Sequence, residues 1–157
     1  MAKKIDPLNK KNYGAASMML SVGDVKAAIG FYQKAFGFTK GTVMKGPDGK
    51  PVHAELRLRD AVLMLGPEVP ERGSKSPKTL GGYPVTIYLM AEDVDKAVAK
   101  ALKAGATPMG PVSDMFWGDR CGVVIDPDGY AWMVSTHVSE PTPQEMARAM
   151  KAMKASA

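Results

Sequence analysis

The chain has a single cysteine, Cys121. It cannot form an internal disulfide, which suits a reducing, cytoplasmic setting. The plain reading of that cysteine is a small residue in a strand. Long apolar runs are missing too: none approaches the ~18 residues a membrane-spanning helix needs. The amino-terminal stretch MAKKIDPLNKKNYG is basic, yet it lacks the apolar middle of a signal peptide. A basic stripe is also absent. The net charge is +5, but +3 of it falls in residues 1–11 and +1 in residues 140–157. The body carries only +1, too little for a surface that tracks phosphate backbones. Neither nucleic acid nor membrane is expected as a partner.

What is present is a globular composition, 45% apolar over 157 residues. That length fits one domain burying roughly 70% of its unfolded surface. The chain also repeats itself. MLSVGDVKAAIGFYQKAFGF, Met19 to Phe38, aligns with YLMAEDVDKAVAKALKAGAT, Tyr88 to Thr107, at an offset of 69 residues. Asp24-Val25 falls on Asp93-Val94, and Ala28-Ile29 on Ala97-Val98. Each copy predicts a short strand, an Asp that caps the next helix, apolar residues at helical spacing, and a closing glycine, Gly37 or Gly105.

Three strands should follow each helix. They are expected near Phe38–Lys45, Val52–Arg59 and Ala61–Gly66, then near Thr107–Met109, Arg120–Ile125 and Tyr130–Ser135. Gly46-Pro47-Asp48-Gly49 and Asp126-Pro127-Asp128-Gly129 supply tight reversals. The expected fold class is therefore α+β, two tandem βαβββ modules at about 15–66 and 84–136 within one domain, 13–140. An amino-terminal arm, 1–12, is expected to be disordered or extended. The linker, 67–83, lies in a Gly-, Pro- and Ser-rich stretch that reads as a mobile connection and is long enough to cover a binding site. Thr142-Pro143-Gln144-Glu145 has the form of a capping box, opening a carboxy-terminal helix over 141–157. Its Met146, Ala149, Met150 and Met153 fall on one face, for packing on its own body or on another chain.

With DVKAAIGFYQKAFGF early and DPDGYAWMV late, the duplicated pattern from about Tyr13 to His137 resembles the vicinal oxygen chelate superfamily. That group comprises glyoxalases, bleomycin resistance proteins and extradiol dioxygenases. HAELRLRDAVLMLGPE and MFWGDR are similar to its PhnB-like branch. The resemblance implies sheets curled around a shared cleft, generally in a homodimer. In metal-using members a divalent ion in that cleft chelates two adjacent substrate oxygens. The resemblance puts the metal-ligand positions at Ser17 and Thr86, in the first strands, and at Met64 and Met133, in the last strands. None of the four is His, Asp or Glu. Hydroxyls and thioethers suit Zn, Ni, Mn or Fe(II) poorly, so no metal and no cofactor is expected. PhnB-like chains are sometimes labelled methyltransferases, but a Gly-rich nucleotide loop following a strand is missing.

Strand parity extends the site. A turn at Asp60-Ala61 would pair Leu58 with Leu63 and Leu56 with Leu65, leaving His53, Glu55, Arg57 and Arg59 beside Met64 on the opposite, cleft-side face. His53 and Glu55 are the candidate catalytic groups, with an exposed strand residue as the plain alternative for His53. In the second module the same parity sends Met133 to the cleft side and Trp132 to the core. Phe116 and Trp117 precede a strand, where one can anchor the segment and the other can offer a flat rim to a ligand. Arg120 could meet an anion or pair with Asp119 or Asp114. With Tyr88, these residues frame two readings. One is a metal-free homodimer binding a small organic ligand. The other is a lyase or isomerase of the glyoxalase type, using His53/Glu55 or a relocated metal.

Overall fold

The structure, a computed structural model, describes residues 5–155. Two compact units meet in sequence at Gly82 and Tyr83.

The first unit contains β1 (Met18–Val22), α1 (Val25–Phe36), β2 (Thr39–Lys45), β3 (Pro51–Leu58) and β4 (Ala61–Pro67). Its sheet order is β1-β4-β3-β2, with β1 parallel to β4 and the other pairs antiparallel. The repeat's capping logic holds. The Asp24 carboxylate accepts the Ala27 N–H at 2.9 Å, and Gly37 ends the helix at φ 78°. Along α1, Val25, Ala28, Ile29, Tyr32 and Ala35 are buried. They recur every three or four residues, so they form one stripe. The sheet buries Ala54, Leu56, Leu63 and Leu65.

The β3–β4 hairpin differs from expectation. Leu56 pairs with Leu63 and Leu58 with Ala61, so the turn is Arg59-Asp60 rather than Asp60-Ala61. Arg59 takes a positive φ of 53°, the backbone sense that matches strand twist in a two-residue hairpin. It therefore leaves the strand and its polar face. The register moves by two, so side-chain parity survives: Glu55 lies opposite Met64, and Met64 opposite Met19.

The amino-terminal segment turns instead of extending. Asp6 accepts backbone N–H groups from Leu8 and Lys10, and Asn9 accepts those of Asn12 and Tyr13. The first four residues of the expected arm lie outside the described residues. The stretch after β4 is also built. It holds a 3-10 turn at Pro70–Arg72 and a short helix, α2 (Pro77–Leu80), whose Ser76 cap is buried.

The second unit contains β5 (Thr86–Met90), α3 (Val94–Ala104), β6 (Thr107–Pro108), β7 (Ser113–Asp114), β8 (Asp119–Ile125), β9 (Ala131–His137) and α4 (Pro143–Ala155). The order β5-β9-β8-β6 repeats that of the first unit, and the unexpected β7 also pairs with β8. Asp93 and Gly105 cap α3 as their counterparts cap α1. Trp132 is fully buried, and its indole N–H meets the buried Asp126 carboxylate at 2.9 Å. The Thr142–Glu145 capping box forms reciprocally. On α4, Met146 and Ala149 are half-buried, while Met150 and Met153 are exposed. Residues 156 and 157 of the expected helix lie outside the described residues. Among the described residues, no helix is long and apolar enough to cross a membrane.

Candidate functional site

Each sheet packs one face on its helix, and the other face carries the chemistry. On the first unit's open face, His53, Glu55 and Arg57 follow one another at strand spacing. Glu55 is already engaged. The Tyr13 hydroxyl donates to its carboxylate, and Arg57 approaches the other oxygen at 3.6 Å. Arg57 also donates to the Asn12 carbonyl at 2.8 Å and lies 5.8 Å from the centre of the Tyr13 ring. The hydrogen bond to Glu55 is the leading cause that holds the Tyr13 phenol above its ordinary pKa. The turn ending at Tyr13 therefore latches onto the polar face that parity had identified. Ser17 is exposed just before β1, and Met64 is half-buried.

On the second unit's open face, Thr86, Tyr88 and Met90 of β5 lie beside Ala131, Met133 and Ser135 of β9. Those three pair with Ile125, Val123 and Cys121 of β8. A cavity of about 320 Å³ opens here, walled by Thr86, Met133, Cys121, Val123, Tyr83, Met115 and the Met109–Pro111 segment. Beside it Asp119 gathers three donors. Its carboxylate accepts from the Tyr88 hydroxyl, from the Trp117 indole at 3.2 Å, and from His137 Nδ1 at 2.8 Å. His137 Nε2 in turn meets Glu140 at 2.9 Å. Hydrogen bonds from Tyr88 and then His137 lower the Asp119 pKa. Bonds to Asp119 and then Glu140 raise that of His137. Desolvation, followed by the bond to Asp119, raises the Tyr88 phenol. The imidazole is held between two carboxylates, which favour its protonated form.

Phe116 and Trp117 form the corners of a turn closed by the Gly118 N–H on the Met115 carbonyl at 3.0 Å. Their rings meet edge to face at 5.1 Å, and both are half-exposed. Gly118 is required there. It sits at φ 100°, and a Cβ would lie 2.1 Å from the Ser139 carbonyl oxygen. Arg120 points to the helix side, bonded to Asp95 at 2.8 Å and to Asp114 at 2.9 Å. Both partners raise its pKa.

Sequence reasoning missed the grouping of Asp119, His137 and Glu140, and it missed Cys121 as a wall residue. Parity finds the cysteine only with the observed pairing of Ile125 with Ala131; the expected four-residue turn would set Ile125 opposite Tyr130 and send Cys121 to the helix face. Glu140 sits beyond the strand, where no periodicity reaches.

The chain belongs to the Glyoxalase/Bleomycin resistance protein/Dioxygenase superfamily, whose sequence profile matches residues 14–134. An uncharacterized protein of Mycobacterium bovis is 45% identical over 139 residues, covering 87% of this chain and 91% of that one. A gene product of Arabidopsis thaliana of known structure is 28% identical, with a TM-score of 0.65 over 78% of this chain and 98% of that chain. TnmS3, an antibiotic binding protein from a Streptomyces species, shares the fold with a TM-score of 0.57 at 23% identity, over 80% of this chain and 99% of that one.

The divalent ion of the metal-using members does not fit the donors found here. Ser17 and Thr86 are exposed hydroxyls, and Met64 and Met133 are thioethers. Among the described residues, no group of three or more His, Cys, Asp and Glu side chains is placed to hold a metal. No chemistry through a hard or borderline divalent cation is derived from these residues.

Proposed function

We propose that the protein is a PhnB-like homodimer that binds a small organic ligand on the open face of its second unit, without the family's divalent ion. The observation that carries this reading is the cavity of about 320 Å³ bordered by Thr86 and Met133, which the resemblance makes metal-ligand positions. Its size falls at the small end of the roughly 300–1,000 Å³ usual for ligand pockets. The wall is mostly apolar. Tyr88 and Trp117, both fixed on Asp119, stand beside it with flat surfaces and polar edges. Burial of apolar surface would supply the affinity, and Thr86 and the Tyr83 hydroxyl would set orientation. Arg120 is left out of this surface because two carboxylates already hold it.

The alternative is a glyoxalase-type lyase or isomerase using His53/Glu55 or a relocated metal; the Tyr13 and Arg57 contacts on Glu55 weaken its case for Glu55 as base. A general base must be available to the proton it removes.

The fluorescent aromatic 8-anilinonaphthalene-1-sulfonate tests the reading. The wild type should bind one molecule per chain with quenching of Trp117 emission. Val123→Phe, which fills the cavity, should weaken binding about tenfold. Binding unchanged by Val123→Phe, or absent altogether, would contradict the assignment. Light scattering during size-exclusion chromatography should return the mass of two chains.

A further inference from the structure

Four of the nine residues walling the second unit's cavity carry sulfur: Met109, Met115, Cys121 and Met133. They come from four stretches of backbone that gather on β8. Met133 lies opposite Val123 on one side. On the other, the Met109 N–H bonds the Val123 carbonyl at 2.9 Å. Cys121 is two residues along the same strand and therefore on the same face. Met115 bonds the Asp119 carbonyl through its N–H. Methionine usually fills gaps in cores, but here the side chains leave a cavity between them. Met109 Sδ also accepts a bond from the Tyr83 hydroxyl at 3.2 Å.

We propose that this cavity is a binding site for a soft monovalent cation, copper(I) in the first instance. Cys121 serves as the anionic ligand, with Met133 and Met109 as thioether ligands and Met115 as a further donor. Thiolate and thioether sulfur select copper(I) over harder ions. Charge makes the same selection. One thiolate and one monovalent cation sum to zero, and thioethers add nothing, so the complex is neutral inside an apolar wall. A divalent ion with the same donors would leave a net positive charge against a mostly apolar wall.

Binding exchanges one proton for the metal: the Cys121 S–H bond breaks, its proton goes to solvent, and the sulfur–copper bond forms, with no change of oxidation state. The fully buried Ser135 hydroxyl lies 2.8 Å from Cys121 Sγ and can donate to the thiolate. Cys121 has no exposed surface, so side chains of the cavity wall must shift to admit the cation to its sulfur.

The inference goes beyond the organic-ligand reading and does not depend on it. Copper(I) is added anaerobically in competition with bicinchoninate. One equivalent per chain should move to the protein, with a new near-ultraviolet thiolate-to-copper absorption. Cys121→Ser should weaken binding by about 100-fold, and the Met109→Leu/Met133→Leu double variant by about 10-fold or more. The leucines keep the apolar volume and remove only the donors, so this variant decides the matter even if Cys121→Ser does not fold. Circular dichroism checks that each variant is native. Failure to compete with bicinchoninate, or unchanged affinity in the double methionine variant, overturns the proposal. Either result leaves the anilinonaphthalenesulfonate experiment standing on its own.

Discussion

Asp119 shows how one residue can organise a surface. It receives a phenol, an indole and an imidazole, so the groups beside the cavity share one anchor. The signs of its pKa and that of His137 fix a pH dependence. The folded His137 pKa is raised above its ordinary 6.5. Its contribution to stability is therefore complete below that value and is lost as pH rises through the raised one. The Asp119 pKa is lowered from 3.8. Its contribution is present above 3.8 and is lost as pH falls through the lower folded value. An NMR titration of the imidazole should place the His137 midpoint above 6.5. Asp119→Asn removes the first cause and should bring it down, with Glu140 retaining part of the shift. A wild-type midpoint at or below the ordinary value would contradict the arrangement.

At the scale of elements, locality decides what can be read in advance. The caps of α1 and α3 are readable because Asp24 and Asp93 act within three residues of themselves. Asp24→Ala should cost about 1 kcal/mol in urea denaturation. The Gly118 turn depends instead on a chain passing from 21 residues further on, the Ser139 carbonyl. Gly118→Ala should therefore lower the thermal midpoint by several degrees, more than its side-chain chemistry suggests, because Ser139 and Pro141 must move. An unchanged midpoint would show that the turn is not as tight as described.

The misplaced β3–β4 turn has a similar cause. Apart from Arg59, which the observed turn removes from the strand, Asp60-Ala61 and Arg59-Asp60 leave the same β3 residues on each face, so alternation cannot choose between them, and the cross-strand pairing of Leu56 with Leu63 does. Arg120 shows the limit most plainly. Asp114 was visible nearby in sequence, whereas Asp95, in the first turn of α3, is brought to it only by packing.

At the scale of the whole chain, the duplication was legible because both copies keep the same capped helix and the same apolar spacing, and both units show the same strand order. Their open faces have diverged in a way that the repeat could not announce. In the first unit, a tyrosine from the preceding turn occupies Glu55. The latch was not legible, since Tyr13 and Glu55 are 42 residues apart. In the second, the corresponding face stays open around a sulfur-rich cavity. The two faces therefore have different consequences for function, and one measurement separates them. In a 1H–15N NMR titration with 8-anilinonaphthalene-1-sulfonate, the largest amide shifts should fall at Thr86, at Met109 and Gly110, at Cys121 to Val123, and at Met133. Shifts concentrated instead at His53 to Arg57, with the second unit's cavity unmoved, would contradict the account.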